Sequence, residues 1–153
     1  MEKKTTVISP EALQRQEGFC GRVREYWQAQ GITPVAFVET YGCQQNEADS
    51  ERIRGYLREM GYGFTQDEEQ AQIIVLNTCA IREHAEDRVF GNLGALTHTK
   101  KENPEQVICL CGCMAQEPRV SERIKKSYPH VDLVFGPQAL WKFPCLLYTS
   151  DAA

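Results

Sequence analysis

The sequence predicts an α/β fold, a doubly wound and mostly parallel sheet of the flavodoxin-like or Rossmann-like kind. Three observations predict it. Strand-like runs alternate with helical stretches at roughly 30–35 residues per unit. The runs Val35-Ala36-Phe37-Val38, Ile73-Ile74-Val75-Leu76 and Val107-Ile108-Cys109-Leu110 are apolar without alternation, as strands covered by helices on both faces must be. Each run also gives way to a short turn and then to a helical pattern, the order of a repeated strand–helix unit.

Taken in order, residues 1–9 carry no periodic pattern. Ser9-Pro10 to Gln30 reads as a helix, with Ser9 as cap, Pro10 in the first turn and Gly31 as the stop. Leu13, Phe19, Val23, Tyr26 and Trp27 give it a rough apolar side, interrupted by Gly18 and Gly21. Residues 1–32 are therefore an N-terminal extension, partly helical, that packs either onto the domain or onto a part lying outside these residues. Val35 to Thr40 is the first buried strand. After Tyr41-Gly42-Cys43 a helix runs from about Glu47 to Met60, with Ile53, Leu57 and Met60 on one face and Gly61 as its stop. A short strand near Tyr62–Phe64 and an acidic loop, Asp67-Glu68-Glu69, lead to the second strong strand, which ends at Asn77-Thr78-Cys79. A helix through Val89 and Leu93 comes next. The third strand ends at Cys111-Gly112-Cys113. Pro118 opens a helix that carries Val120 and Ile124, Pro129 closes it, and Val131 to Phe135 is the last strand.

The composition bounds the function. At 153 residues the chain is long enough for one domain with a proper core. With 42% apolar and 25% charged residues it has the make-up of a soluble globular protein. No apolar run approaches the roughly 18–20 residues that span a bilayer, and Met1 to Gln14 has no apolar signal region. The expectation is a cytoplasmic protein with no membrane partner. The net charge of −4 argues that any grip on nucleic acid phosphates comes mainly from outside these residues. The Gly-x-Gly-x-x-Gly phosphate fingerprint is absent, so no dinucleotide is expected.

The seven cysteines are Cys20, Cys43, Cys79, Cys109, Cys111, Cys113 and Cys145. An odd number without an export signal does not read as a disulfide framework. Cys43, Cys79 and Cys113 stand at equivalent places in three successive units, each after a strand and before a helix, 36 and 34 residues apart. In an open α/β sheet the carboxyl ends of the strands lie along one edge, where ligands bind. The fold thus gathers three thiols that no CxxC pair brings together. Three thiolates suit a [4Fe–4S] cluster with one iron free of protein ligands, and the helix starts beyond them offer backbone N–H groups to an anion. The pattern alone leaves alternatives open. Zinc would ask for a fourth ligand, for which Cys111 is available, and strand cysteines are often simply core. Cys109 and Cys111 share a strand face and read as packing. Asn46 and Asn77, close to two of the cysteines, read either as caps or as groups that orient the loops.

At these residues the sequence resembles a known family. Thr40-Tyr41-Gly42-Cys43-Gln44-Gln45-Asn46-Glu47-Ala48-Asp49-Ser50-Glu51, the stretch from Asn77-Thr78-Cys79 to Asn92-Leu93-Gly94, and Cys111-Gly112-Cys113-Met114-Ala115-Gln116 look like the three cysteine motifs, in order, of MiaB-type radical-SAM methylthiotransferases. The similarity covers roughly residues 33–143. The resemblance implies a methylthiotransferase N-terminal cluster-binding domain over residues 33–144, with Cys43, Cys79 and Cys113 as the ligands of an auxiliary [4Fe–4S] cluster. It implies a tRNA-modifying enzyme that places sulfur and a methyl group at C2 of N6-isopentenyladenosine beside the anticodon. Related branches act on threonylcarbamoyladenosine or on a ribosomal protein, but usually carry Leu-Gly-Cys-Pro-Lys or Leu-Gly-Cys-Lys where this chain has Tyr41-Gly42-Cys43-Gln44. The CxxxCxxC triplet that would hold a second cluster and S-adenosylmethionine does not occur. The radical-SAM and TRAM domains, which would carry most of the tRNA contact, are therefore expected to be partners lying elsewhere, and this portion is expected to be inactive alone. Residues 145–153 do not look like family sequence and read as a non-native tail, which leaves Cys145 without a role. A stand-alone zinc or sulfur-carrier module is the rival reading.

Overall fold

The computed structural model describes residues 8–42, 44–79 and 83–151. Helix α1 (Pro10–Gln30) leads into strand β1 (Val35–Thr40), helix α2 (Gln44–Glu59) and the short strand β2 (Gly63–Phe64). Next come strand β3 (Ile73–Thr78), helix α3 (Glu83–Glu102) and strand β4 (Val107–Gly112). A 3-10 turn (Met114–Gln116), helix α4 (Pro118–Ser127), strand β5 (Leu133–Phe135), a second 3-10 stretch (Pro137–Lys142) and helix α5 (Phe143–Asp151) complete the order.

The five strands form one sheet in the order β2-β1-β3-β4-β5, and every pairing is parallel. This is the doubly wound architecture expected, in the flavodoxin-like strand order. Alternate residues of β3 and β4 feed two cores. Ile73, Val75, Cys109 and Cys111 meet Ile53 and Leu57 of α2 and Met60 just beyond it, with Cys20 and Val23 of α1, on one face. Ile74, Leu76, Ile108 and Leu110 meet Val89, Leu93 and Leu96 of α3 and Val120 and Ile124 of α4 on the other. Every residue of β3 is buried, which is why its sequence shows no polar alternation.

Helix α1 starts as expected, with the Ser9 hydroxyl accepting from the Ala12 N–H at 3.2 Å and Pro10 in the first turn. It runs through Gly18 and Gly21 without a break and shares the core of α2, so the extension is built into the domain's packing. Trp27 donates its indole N–H to the Tyr62 hydroxyl at 3.1 Å. The expectation of no structure over residues 1–9 lies outside the described residues up to position 7. Helix α2 starts at Gln44, three residues before the expected Glu47, and the third strand ends at Gly112, as expected, with Asn77 and Thr78 as register partners of Cys111 and Gly112. The last strand is shorter than expected. Val131 is held in a turn by its bond to the Tyr128 carbonyl, and the Asp132 carboxylate takes the Ile108 N–H at 2.9 Å and Lys100 at 2.8 Å.

Residues 145–151, expected to be a non-native tail, continue α5 along α1. Phe143 and Leu147 are buried, the Tyr148 ring lies 5.3 Å from that of Phe19, and the Cys145 N–H donates to Gln16 Oε1 at 3.0 Å. Among the described residues no helix is long and apolar enough to cross a membrane.

Candidate functional site

Strands β1, β3 and β4 are neighbours, so their carboxyl ends lie side by side. The strand order reverses between β1 and β3, the place where open α/β sheets bind ligands. Tyr41-Gly42 leaves β1 toward Cys43, Cys79 comes directly after β3, and Cys113 directly after β4. Cys79 is buried and Cys113 half-buried, and no disulfide joins the described cysteines. Cys43 lies outside the described residues, as do Ala80, Ile81 and Arg82. Among the described residues no three His, Cys, Asp or Glu side chains stand together as a metal-binding group.

Two glycines let these strand ends close on one another. A Cβ added to Gly42, whose φ is +132°, would lie 2.4 Å from the Cys79 Cβ, 3.3 Å from its Sγ and 2.9 Å from Asn46 Oδ1. A Cβ added to Gly112, at φ +98°, would lie 2.1 Å from the Thr78 carbonyl oxygen. Both positions need the left-handed half of φ and the missing side chain together. The backbone before Cys43 is thereby pressed onto Cys79, and the backbone before Cys113 onto Thr78.

A buried polar network ties the same three loops. The carbonyl of Thr78 accepts from the Asn46 carboxamide N–H at 2.7 Å and from the Cys113 backbone N–H at 3.2 Å. Asn77 donates to the Asn46 carbonyl at 2.8 Å and to the Ser50 hydroxyl at 3.0 Å. The Thr78 hydroxyl donates to the Cys111 carbonyl at 2.6 Å, and the Thr40 and Ser50 hydroxyls are 2.7 Å apart. Asn46, Ser50, Asn77 and Thr78 are at most 4% exposed, so each bond replaces water that the group has lost. The two asparagines join neighbouring loops, α2 to β3, rather than serving only as local caps. Thr40, Ser50 and the Thr78 carbonyl were not singled out from the sequence. The signal was present: Asn46 and Ser50 precede Ile53 and Leu57 on the same stripe of α2, so polar groups at the head of a buried stripe have to find partners in the sheet.

Cys109 and Cys111 are fully buried on one face of β4, as expected of packing residues, and burial pushes both thiols well above their ordinary range. The Cys111 thiol faces Asn77 Oδ1 at 3.9 Å. Tyr41 is 4% exposed, with Arg88 over its ring at 5.6 Å and its hydroxyl held by Asn92 at 2.6 Å and Glu39 at 3.1 Å. Its ring is thus enclosed by protein. A cavity of about 550 Å³ lies by the opposite strand ends, among Trp27, Tyr62, Gln72, Lys100 and Tyr148. Its lysine is occupied by the Gln106 carbonyl and Asp132.

Burial raises the Tyr41 hydroxyl to about 12, aided by Glu39 and opposed by the Asn92 bond, and burial with the nearby Glu59 carboxylate raises the Cys20 thiol to about 12. Each group holds its proton to higher pH folded than unfolded, so their contribution to stability is intact below the unfolded values of 9.0 and 10.0 and is lost as pH rises from there toward 12. Stability measured by urea denaturation should fall over that window, and Cys20→Ala with Tyr41→Phe should flatten the fall. An unchanged slope in the double variant would remove these groups as the cause.

Comparison with known proteins places these residues in context. Residues 35–136 match the family profile described as "Uncharacterized protein family UPF0004". The chain is 44% identical to the tRNA-2-methylthio-N(6)-dimethylallyladenosine synthase of Clostridioides difficile and 43% identical to that of Acetivibrio thermocellus, in both cases over 97% of this chain and 32% of the relative. The enzyme of the same name from Clostridium beijerinckii is 50% identical over 71% of this chain and 24% of its own length. The chain spans about a third of the length of the first two relatives and a quarter of the third.

Proposed function

Because the chain belongs to the UPF0004 family, we propose that it is the cluster-binding domain of a tRNA methylthiotransferase that modifies C2 of N6-isopentenyladenosine next to the anticodon. In this reading Cys43, Cys79 and Cys113 hold an auxiliary [4Fe–4S] cluster. A radical-SAM domain with its own cluster and S-adenosylmethionine, together with a TRAM domain, completes the enzyme in the cytoplasm. The names of the relatives support the reaction and the nucleic acid.

The observation that carries the cluster assignment is the closure of three loops on one edge. Gly42 sits against Cys79 so tightly that a Cβ would meet its Cβ at 2.4 Å, and the Cys113 N–H bonds to the carbonyl just before Cys79. The donor set fits an iron–sulfur centre, since thiolates are its usual protein ligands and glycine-thin backbone allows close approach. When bound, the cluster supplies an iron position without a protein ligand, where a sulfur species can be held for transfer. The chain's own residues bind it through the thiolates, hold the loops at fixed spacing through Asn46, Asn77 and Thr78, and keep Cys109 and Cys111 protonated and buried, away from competition for iron. The net charge of −4 supports a grip on tRNA that comes mainly from the other domains.

Anaerobic reconstitution with iron and sulfide tests the reading. The purified chain should take up about four irons. Cys43→Ala, Cys79→Ala and Cys113→Ala should each lose the cluster, whereas Cys111→Ala should keep it. Equal iron in all four variants, or zinc in preference to iron, would overturn the assignment.

A further inference from the structure

We propose that Asn46 is a positioning residue which sets the spacing of the three cysteine loops by clamping the Thr78 carbonyl. The inference rests on the cluster reading above and names the group that makes the site's geometry. The Asn46 carboxamide lies between two of the loops. Its Oδ1 is packed where a Gly42 Cβ would come within 2.9 Å, and its Nδ2 donates to the Thr78 carbonyl at 2.7 Å. That carbonyl belongs to the residue before Cys79 and also accepts the backbone N–H of Cys113 at 3.2 Å. One oxygen thus joins the second and third loops, and one side chain joins that oxygen to the first. Asn46 itself stands three residues after Cys43, in the first turn of α2.

The neighbours hold the clamp in place. Asn77 Nδ2 donates to the Asn46 carbonyl at 2.8 Å and to Ser50 at 3.0 Å, which fixes the start of α2 against β3. Asn46 is 4% exposed, so water cannot substitute freely for its amide. Leucine has nearly the same shape and no donor. Serine is shorter, and its hydroxyl does not reach so far. Either change leaves the Thr78 carbonyl with the Cys113 N–H but cuts the tie to the first loop. Groups that orient the ligands of a metal site typically cost about 10- to 100-fold in metal affinity when removed.

The test uses the 153-residue chain with Asn46→Leu and Asn46→Ser, and Gln106→Ala as a stability control. Gln106 also makes two bonds, a half-buried one to the Glu68 carbonyl and a buried one to the Ala71 carbonyl, but near the start of β4, at the far end of the sheet. Each protein is reconstituted, checked for folding by circular dichroism, and challenged with an iron chelator. The spectrum of the reduced cluster is then recorded by electron paramagnetic resonance. The Asn46 variants should release iron about 10- to 100-fold faster than wild type and show a shifted spectrum, whereas Gln106→Ala should behave as wild type. Wild-type release and spectrum in both Asn46 variants, or the same change in Gln106→Ala, would overturn the proposal. A second measurement needs no iron: phenylarsine oxide bridges close thiols, and mass spectrometry locates the bridge. A Cys79–Cys113 bridge that forms in wild type and is lost in folded Asn46→Leu supports positioning even if the chain binds no cluster. A bridge unaffected in both variants rejects it.

Discussion

Gly112→Ala is expected to lower stability by at least about 3 kcal/mol. The added Cβ would fall 2.1 Å from the Thr78 carbonyl oxygen, 2.7 Å from the Thr78 nitrogen and 2.8 Å from Asn77 Oδ1. Two of these atoms are backbone in β3, which is paired on both sides and buried throughout, so it has nowhere to retreat. Moving it would break the Thr78–Gly112 register, the bond from the Thr78 hydroxyl to the Cys111 carbonyl and the Asn46 clamp together. The backbone at φ +98° adds a strain that alanine cannot relieve. Gly18→Ala is the control: nothing lies within 4 Å of its would-be Cβ in the middle of α1, and it should gain roughly 0.5–1 kcal/mol. Urea denaturation of both variants decides the matter. A Gly112→Ala protein within about 1 kcal/mol of wild type would mean that β3 and β4 can part at little cost.

Phe143→Ala is expected to cost about 3–5 kcal/mol. Phe143 is fully buried, with its ring stacked 6.4 Å from Tyr56 of α2 and tilted 5.9 Å from Phe135 of β5. It is the first residue of α5, so its removal leaves a cavity where helix, sheet and the α1 layer meet and loosens Leu147 one turn later. Phe64, 40% exposed on the edge strand β2, serves as comparison; alanine there should cost less than about 1 kcal/mol. Thermal and urea melts read both. Equal, small losses would show that α5 does not belong to the cooperative fold.

The strands, the helix positions and the meeting of the cysteine loops were legible because each rests on local chemistry repeated at a readable interval. Unbroken apolar runs mean strands covered on both faces, and three strand ends in a parallel sheet share an edge whatever the strand order. The fate of Cys109 and Cys111 was legible for the same reason, since residues two apart in a buried strand enter one core. The expected ends of the elements were less secure. Asp132 takes the Ile108 N–H with its side chain, a substitution for ladder pairing between residues 24 apart that no local pattern announces.

What the sequence by itself determined, then, is the alternating α/β order and the place of Cys79 and Cys113 directly after β3 and β4. Only the tertiary structure decided between the two doubly wound orders, in favour of β2-β1-β3-β4-β5. It alone joined α1 and α5 to the core and made the Thr78 carbonyl the common partner of Asn46 and Cys113. The reason is physical. Hydrophobic periodicity is written along the chain, one turn or one pleat at a time. The hydrogen bonds of a buried carbonyl are settled by whichever donors the packed sheet brings within about 3 Å of it, and here those donors come from more than thirty residues away on either side.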